Sequence, residues 1–236
     1  MMSSEKGGGM GQEVLTGDQQ IALEALKDFV KRGEEKCFIL QGYAGTGKTF
    51  LIRRLAQWLE SEKMIFLLAA PTGRAGKVMA NKTGYQAGTI HRAIYNMTRL
   101  LERPAGFDGF KFYYGLKLVA SENRPRVIVV DESSMVSDQA DDEKFIGFGS
   151  GRVLNDLMAF AASNDDRASC QLVFVGDPAQ LPPVGMKSSP ALDATYLDKH
   201  FGAKTRTGIL RQVVRQAEDS AILKVATQIR NDIAAV

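Results

Sequence analysis

Nine consecutive residues restrict this chain more than any others: Gln41-Gly42-Tyr43-Ala44-Gly45-Thr46-Gly47-Lys48-Thr49. They follow Cys37-Phe38-Ile39-Leu40, a short apolar run of strand type, and precede Phe50-Leu51-Ile52-Arg53-Arg54-Leu55, which reads as helix. Strand, glycine-rich turn and helix N-terminus in that order form the setting of a phosphate-binding loop. Gly42, Gly45 and Gly47 allow backbone angles and a close approach that a Cβ would forbid. The loop N–H groups, those of Ala44 and Thr46 included, then converge on phosphate together with the positive end of the helix dipole. Lys48 reaches the β- and γ-phosphates, and the Thr49 hydroxyl ligates magnesium. A glycine-rich turn without a ligand is the plain alternative, and the strand and helix on the correct sides argue against it. The stretch predicts a nucleoside triphosphate site.

The chain has 236 residues, 44% apolar and 24% charged. That is enough for one large α/β domain with a real core, or for one domain plus an insertion. A net charge of +3 permits nucleic-acid binding without arguing for it, because local patches matter more than the total. Cys37 and Cys170 each sit beside a predicted strand and form no CxxC pair. Buried reduced thiols and a cytosolic compartment are expected. No apolar run approaches a membrane span, and the N-terminus lacks the apolar core of a signal peptide, so no membrane partner is expected.

Residues 1–12, with Ser3, Ser4 and Gly7-Gly8-Gly9, read as a flexible tail. Thr16 reads as the N-cap of a helix carrying Ile21, Leu23, Leu26, Phe29 and Val30 and ending near Gly33. Gln19 lies near its first turn and can offer an adenine edge a donor and an acceptor at once. Alone, it would be a solvated helix residue. A second apolar strand at 65–70 stops at Pro71-Thr72-Gly73-Arg74, where Thr72 can cap a helix bearing Arg74 and Lys77. Ligands of open α/β sheets bind beyond the carboxyl ends of the strands. On that edge, hydroxyl, amide and basic groups could hold a phosphodiester backbone, although for the isolated peptide an ordinary strand-helix turn is the stronger reading. Thr89-Ile90-His91-Arg92 opens another helix, and a lone histidine is more often structural. Residues 99–126 break the alternation, with Pro104, Gly106 and Gly109 among Phe107, Phe110, Phe112, Tyr113, Tyr114, Lys111 and Lys117. A small β-hairpin or irregular insertion is expected there. Its aromatics suit stacking on bases and suit a mini-core equally well.

Val127-Ile128-Val129-Val130 is wholly apolar, as a strand buried on both faces should be, and ends in Asp131-Glu132-Ser133-Ser134. Paired with Lys48 and Thr49, this is the second half of a nucleotide-hydrolysing site. Asp131 would hold magnesium, and Glu132 would orient and deprotonate the attacking water. The polar stretch 137–151, with acidic Asp138, Asp141, Asp142 and Glu143, reads as a solvated surface loop; a helix is expected at 153–162. A strand at 172–175 then ends in Gly176-Asp177-Pro178-Ala179-Gln180-Leu181-Pro182-Pro183-Val184. Three prolines stiffen that turn and direct Asp177 and Gln180 to the edge of the phosphate loop. Gln180 can bond both a γ-phosphate and a neighbouring element, as a sensor of nucleotide state must.

The segments GYAGTGKT, APTGRAG, TIHR, VVDESSM and VGDPAQLPPV, in this order, resemble the first motor domain of a superfamily 1 helicase, and more narrowly its RecD/Dda branch, superfamily 1B. The resemblance runs from about Leu15 to the end of the chain. It implies a RecA-like α/β P-loop NTPase fold, a mostly parallel sheet with helices on both faces and a small β-rich insertion at about 93–126. It implies ATP and Mg2+ as ligands, and single-stranded DNA or a single/double-strand junction as partner. Leu15-Thr16-Gly17-Asp18-Gln19 is similar to the family's Q motif, which makes Gln19 the adenine reader. Thr72, Gly73 and Arg74, with Pro71 beside them, match a motif that touches the single strand, and Thr89 and His91 match the next. The inserted hairpin would help to separate strands. Leu210 to Gln216 resembles the motif whose arginine contacts the γ-phosphate, a role carried to Arg215. The catalytic set implied is Lys48, Glu132, Gln180 and Arg215.

Gly76 stands where the family usually has alanine, a departure expected to change helix stability only slightly. The chain stops at Val236, after a helix expected at 219–233 and before any later motif of the family. It is therefore expected to be a fragment of a motor whose second domain lies beyond Val236. Movement 5′-to-3′ is implied by the resemblance alone. Two rivals stand beside this reading. A nucleotide-dependent switch or binding module would bind nucleotide with little turnover and no response to DNA. A small-molecule kinase would need a phosphoacceptor pocket and would leave GDPAQLPPV unexplained.

Overall fold

The computed structural model describes residues 14–104, 110–140, 146–162 and 170–214. The expected tail, the acidic residues Asp141, Asp142 and Glu143, Arg215 and the helix expected at 219–233 lie outside them.

Helix α1 (Gly17–Arg32) begins with a reciprocal cap. Thr16 Oγ1 accepts from the Gln19 N–H at 3.3 Å, and Gln19 Oε1 accepts from the Thr16 N–H at 3.1 Å. It ends at Gly33 in the left-handed conformation that closes many helices. Strand β1 (Cys37–Gly42) feeds the phosphate loop and helix α2 (Lys48–Ser61). Then come β2 (Phe66–Ala70), α3 (Gly73–Thr83), β3 (Ala87–Thr89) and the short α4 (Ile90–Ile94). After an excursion the chain returns through β6 (Val127–Val130), and later through α5 (Val153–Ala161), β8 (Gln171–Gly176), α6 (Ala194–Phe201) and β9 (Thr205–Leu210).

The main sheet has the order β3-β2-β6-β8-β1-β9, and every neighbouring pair is parallel. Two-residue periodicity sorts its side chains between two cores. Phe38, Leu40, Leu68, Val127, Val129, Val173 and Val175 pack with α1, α2 and α3. Their alternates Cys37, Ile39, Ala69, Ile128, Val130, Leu172 and Phe174 pack with α4, α5 and α6. The central strands are apolar on both faces because both are covered. This is the α/β P-loop architecture that the sequence predicts. Since the strands are parallel, all their carboxyl ends, and the loops leaving them, share one edge. Cys37 and Cys170 are free, buried thiols, and burial pushes both up to about 12.

The excursion is a second, three-stranded sheet. Strand β4 (Tyr95–Pro104) pairs antiparallel with β5 (Phe110–Leu116), with a register shift between Tyr95 and Leu100, and β5 pairs parallel with β7 (Ile146–Phe148). The third strand thus comes from the stretch that reads in sequence as a solvated loop. Asp138, in the same stretch, is buried rather than solvated. Its carboxylate accepts from Arg152 Nη2 and from the Tyr196 hydroxyl, both at 2.7 Å. The small sheet is pinned to the core at its base. Tyr95 is fully buried and donates its hydroxyl to Asp156 Oδ2 at 2.7 Å, while the Ser150 N–H donates to the same carboxylate. Burial and that carboxylate raise the Tyr95 pKa far above its ordinary value.

Gly76 also differs from its sequence expectation. A Cβ there would lie 2.8 Å from Gly88 O, on the backbone of β3. The glycine lets α3 approach the edge strand, which is a packing role rather than a matter of helix propensity.

Candidate active site

The phosphate loop is built by its own sequence. Gly45 and Gly47 have φ of +87° and +81°, angles open to glycine. Beneath the loop, Thr46 is fully buried and its hydroxyl donates to Tyr43 O at 2.8 Å; a Cβ on Gly42 would come within 2.7 Å of Thr46 Oγ1. Gly42 and Thr46 therefore shape the loop from below. Ala44, Gly45, Gly47, Lys48 and Thr49 line a cleft of about 450 Å³ together with Gln19, Asp131, Glu132 and Gln180. The Lys48 ammonium donates to Gly42 O at 2.6 Å and Tyr43 O at 3.1 Å.

Gln19 takes a position that its sequence motif does not convey. Its Oε1 belongs to the α1 cap, and its Nε2 donates to Thr46 O at 3.0 Å. The side chain is a buried strut between the start of α1 and the phosphate loop. It leaves one amide hydrogen and one lone pair for an adenine edge. The chain after β9 closes the same corner. The Arg211 and Gln212 N–H groups donate to Asp18 Oδ2 at 2.9 and 3.1 Å, and the Val214 N–H donates to Gly45 O at 2.9 Å. Those backbone bonds hold the Asp18 carboxyl below its ordinary pKa. Val214 itself lines the cleft, and Arg215, the next residue, lies outside the described residues.

Across the cleft, Asp131 is nearly buried, and burial pushes its carboxyl up to about 6. The Glu132 N–H, bonded to Asp131 Oδ1 at 2.9 Å, and the positive charges of Lys48 and Lys82 only partly offset this. A desolvated carboxylate of this kind favours a cation beside it. Among the described residues, no group of three or more His, Cys, Asp or Glu could cage a metal. A magnesium ion would rest on Asp131, Thr49 and phosphate oxygens, the usual manner for that ion. Glu132 has φ +53°, a left-handed angle that costs a non-glycine residue about 1–2 kcal/mol. Such strain gathers at functional sites. Here it falls on a residue that lines the cleft, just as the chain enters the 3-10 turn Ser133–Met135.

Gln180 connects this cleft to a second one. Its Oε1 accepts from Ser134 Oγ at 2.9 Å, and it lines both the nucleotide cleft and a groove of about 1140 Å³. That groove also contains His91, Met135 and the run from Leu181 to Val184. His91 is half-buried there, its ring edge-on to Phe148 at 4.7 Å and tilted on Tyr95 at 5.5 Å, so it links the groove to the small sheet. Thr72 and Thr89 spend their hydroxyls as N-caps, accepting from Ala75 and Arg92 N–H groups. Pro71, Gly73 and Arg74 lie with them at the same sheet edge; Gly73 and Arg74 are exposed. Residues to which the motifs give no role also line the nucleotide cleft: Val14, Phe50, Lys82 and, inside the Leu210–Gln216 motif, Val214. Phe50 and Val214 adjoin Thr49 and Arg215, but nothing in the sequence marks Lys82.

The profile of the AAA domain family matches residues 15–235. The ATP-dependent DNA helicase dda of Enterobacteria phage T4 is 27% identical over 218 residues, 92% of this chain and 43% of that protein. The ATP-dependent RecD2 DNA helicase of Deinococcus radiodurans is 28% identical over 189 residues, 80% of this chain and 21% of that one. Among solved structures, the Pif1 helicase from Candida albicans superposes with a TM-score of 0.56 at 23% identity, covering 92% of this chain and 44% of that one, a likeness of fold. The chain spans less than half the length of each of these relatives. Among the described residues, no helix is long and apolar enough to cross a membrane.

Proposed function

We propose that this chain, which belongs to the AAA domain family and is a first motor domain of the superfamily 1B helicase type, binds ATP and Mg2+ and hydrolyses ATP to drive movement along single-stranded DNA and opening of a duplex. The observation that carries this reading is Gln180, shared between the nucleotide cleft and the groove that holds His91. In the cleft, Lys48 leaves the loop carbonyls for the phosphates, and the N–H groups of Gly45 and Gly47 orient them. Magnesium, when bound, neutralises phosphate charge and polarises the terminal phosphoryl group. Glu132 takes the proton of the attacking water. Gln180, tied to Ser134, reports the presence of the terminal phosphate to the groove and through His91 to the small sheet.

The strand would pass over the edge bearing Pro71, Thr72, Gly73, Arg74, Thr89 and His91. On the small sheet, Arg103 pairs across from Lys111, and Leu101 across from Tyr113, so Arg103, Lys111 and Tyr113 share one face. The Arg103 guanidinium lies 5.6 Å from the Tyr113 ring centroid. A cation and an aromatic so placed suit phosphate and base together. Two variants test the nucleotide half of the proposal. Lys48→Ala is expected to abolish ATP binding, whereas Glu132→Gln is expected to retain binding and lose turnover by at least about a hundredfold. Unchanged turnover in Glu132→Gln would remove Glu132 from the role of base.

A further inference from the structure

We propose that Lys82, in the last turn of α3, is a second phosphate-binding cation of the nucleotide cleft and contacts the terminal phosphate of the bound triphosphate. The inference rests on the nucleotide-site reading and deepens it. Lys82 lines the same cleft as Lys48, Thr49, Asp131 and Glu132, although it comes from a helix that none of the nucleotide motifs touches. Among the described residues, the ionisable groups of that lining are two lysines and two carboxylates. Without Lys82 these described groups would sum to a net negative charge, a poor host for a polyphosphate. With it, each carboxylate has a cation to oppose it.

Its place along the cleft selects the phosphate. Gln19 and Val14 belong to the α1 end, where the base would lie, whereas Asp131 and Glu132 mark the end where the terminal phosphate is attacked. Helix α3 packs on β2 and β3, on the side of the sheet next to β6 and its Asp131, whereas α1 packs against β9 at the far edge, which assigns Lys82 to that second end. A plainer role exists: a basic residue in a last turn complements the helix dipole, and α3 ends in a left-handed Gly84 cap. That role would not distinguish ATP from ADP. The phosphate contact would, and it has a mechanical corollary. Helix α3 starts at Thr72 and Arg74 on the strand-contact edge and carries Lys82 in its last turn, so one rigid element of 11 residues joins the two sites.

Equilibrium binding of a non-hydrolysable ATP analogue and of ADP, both with Mg2+, tests this on the full chain, Lys82→Met and Lys82→Arg. Methionine keeps the aliphatic stem and removes the charge. Lys82→Met is expected to lose about tenfold or more in affinity for the triphosphate while its ADP affinity changes less than about twofold. Lys82→Arg should keep the preference for the triphosphate. Wild-type affinity in Lys82→Met, or an equal loss for both nucleotides, would overturn the assignment. Should Lys82→Met melt early without nucleotide, Lys82→Gln, which also lacks the charge, decides through the same loss or retention of the ATP-to-ADP ratio. If the wild-type chain bound neither nucleotide, the nucleotide-site reading itself would fall, and Lys82 with it. Binding by the wild type with no effect of Lys82→Met would sink Lys82 alone.

Discussion

Replacing Asp131 with Asn should stabilise the protein while destroying its chemistry. Asp131 is 7% exposed, and burial lifts its carboxyl from 3.8 to about 6. That difference corresponds to about 3 kcal/mol of unfavourable free energy in the folded state at neutral pH. The sign follows from proton binding. Between pH 3.8 and about 6 the folded chain binds more protons at this site than the unfolded chain, so stability falls as pH rises through that window. Above it the penalty is complete; below 3.8 it is absent. Asparagine keeps the shape and the oxygen that accepts from the Glu132 N–H at 2.9 Å, without the charge. In metal-free buffer at pH 7.5, Asp131→Asn should therefore gain up to about 3 kcal/mol, which raises Tm by roughly 6–12 °C for a chain of this size. The gap should close toward pH 4. Adding Mg2+ and nucleotide should stabilise the wild type and not the variant, and the variant's turnover should be lost. Urea and thermal denaturation at pH 7.5 and 4.5, with a chelator and then with Mg2+, measure all of this. A variant no more stable than wild type at pH 7.5, or a gap independent of pH, would refute the reasoning.

Two further substitutions probe the frame that holds the site. Gly76→Ala gains about 1 kcal/mol of helix propensity but places a Cβ 2.8 Å from Gly88 O, an overpacking cost of about 1–3 kcal/mol. A lowered urea midpoint is expected, and an unchanged one would show that β3 yields without cost. Tyr95→Phe removes the hydroxyl that serves Asp156, leaving a buried carboxylate short of one donor. A loss of about 1–3 kcal/mol in thermal or urea denaturation is expected, and wild-type stability would mean that the Ser150 N–H and the Asn155 amide satisfy Asp156 without it.

Four strands of the main sheet, β1, β2, β6 and β8, were legible because they are apolar runs that each end in a chemically distinctive turn, whereas the edge strands β3 and β9, short or rich in polar residues, were not. The parallel order then brings Lys48, Asp131, Glu132 and Gln180 to one edge whatever the details of the helices. The third strand of the small sheet was not legible. Ile146 and Phe148 form too short a run to outweigh the acidic residues before them; Ile146 stays exposed, and Phe148 is covered by Tyr114 and His91, far away in sequence. Gln19 was recognisable as a polar residue of the nucleotide corner, but its bond to Thr46 O depends on how α1 packs on the loop. Lys82 carries no local signal, since a lysine in a last helical turn is ordinary. Only the path of α3 across the edge brings it to the cleft. Gly76 looked like a propensity change because its neighbour, the backbone of β3, is a tertiary contact.

The central claim is that one edge of this sheet couples nucleotide to a single strand. ATP turnover of the chain, measured with and without single-stranded DNA at low salt, where phosphate contacts are least screened, tests it most directly. The account predicts severalfold stimulation by DNA that fades as salt is raised and is absent in Glu132→Gln. Turnover that is measurable yet identical with and without DNA, here and in a chain extended beyond Val236, would contradict the motor and leave only a nucleotide site.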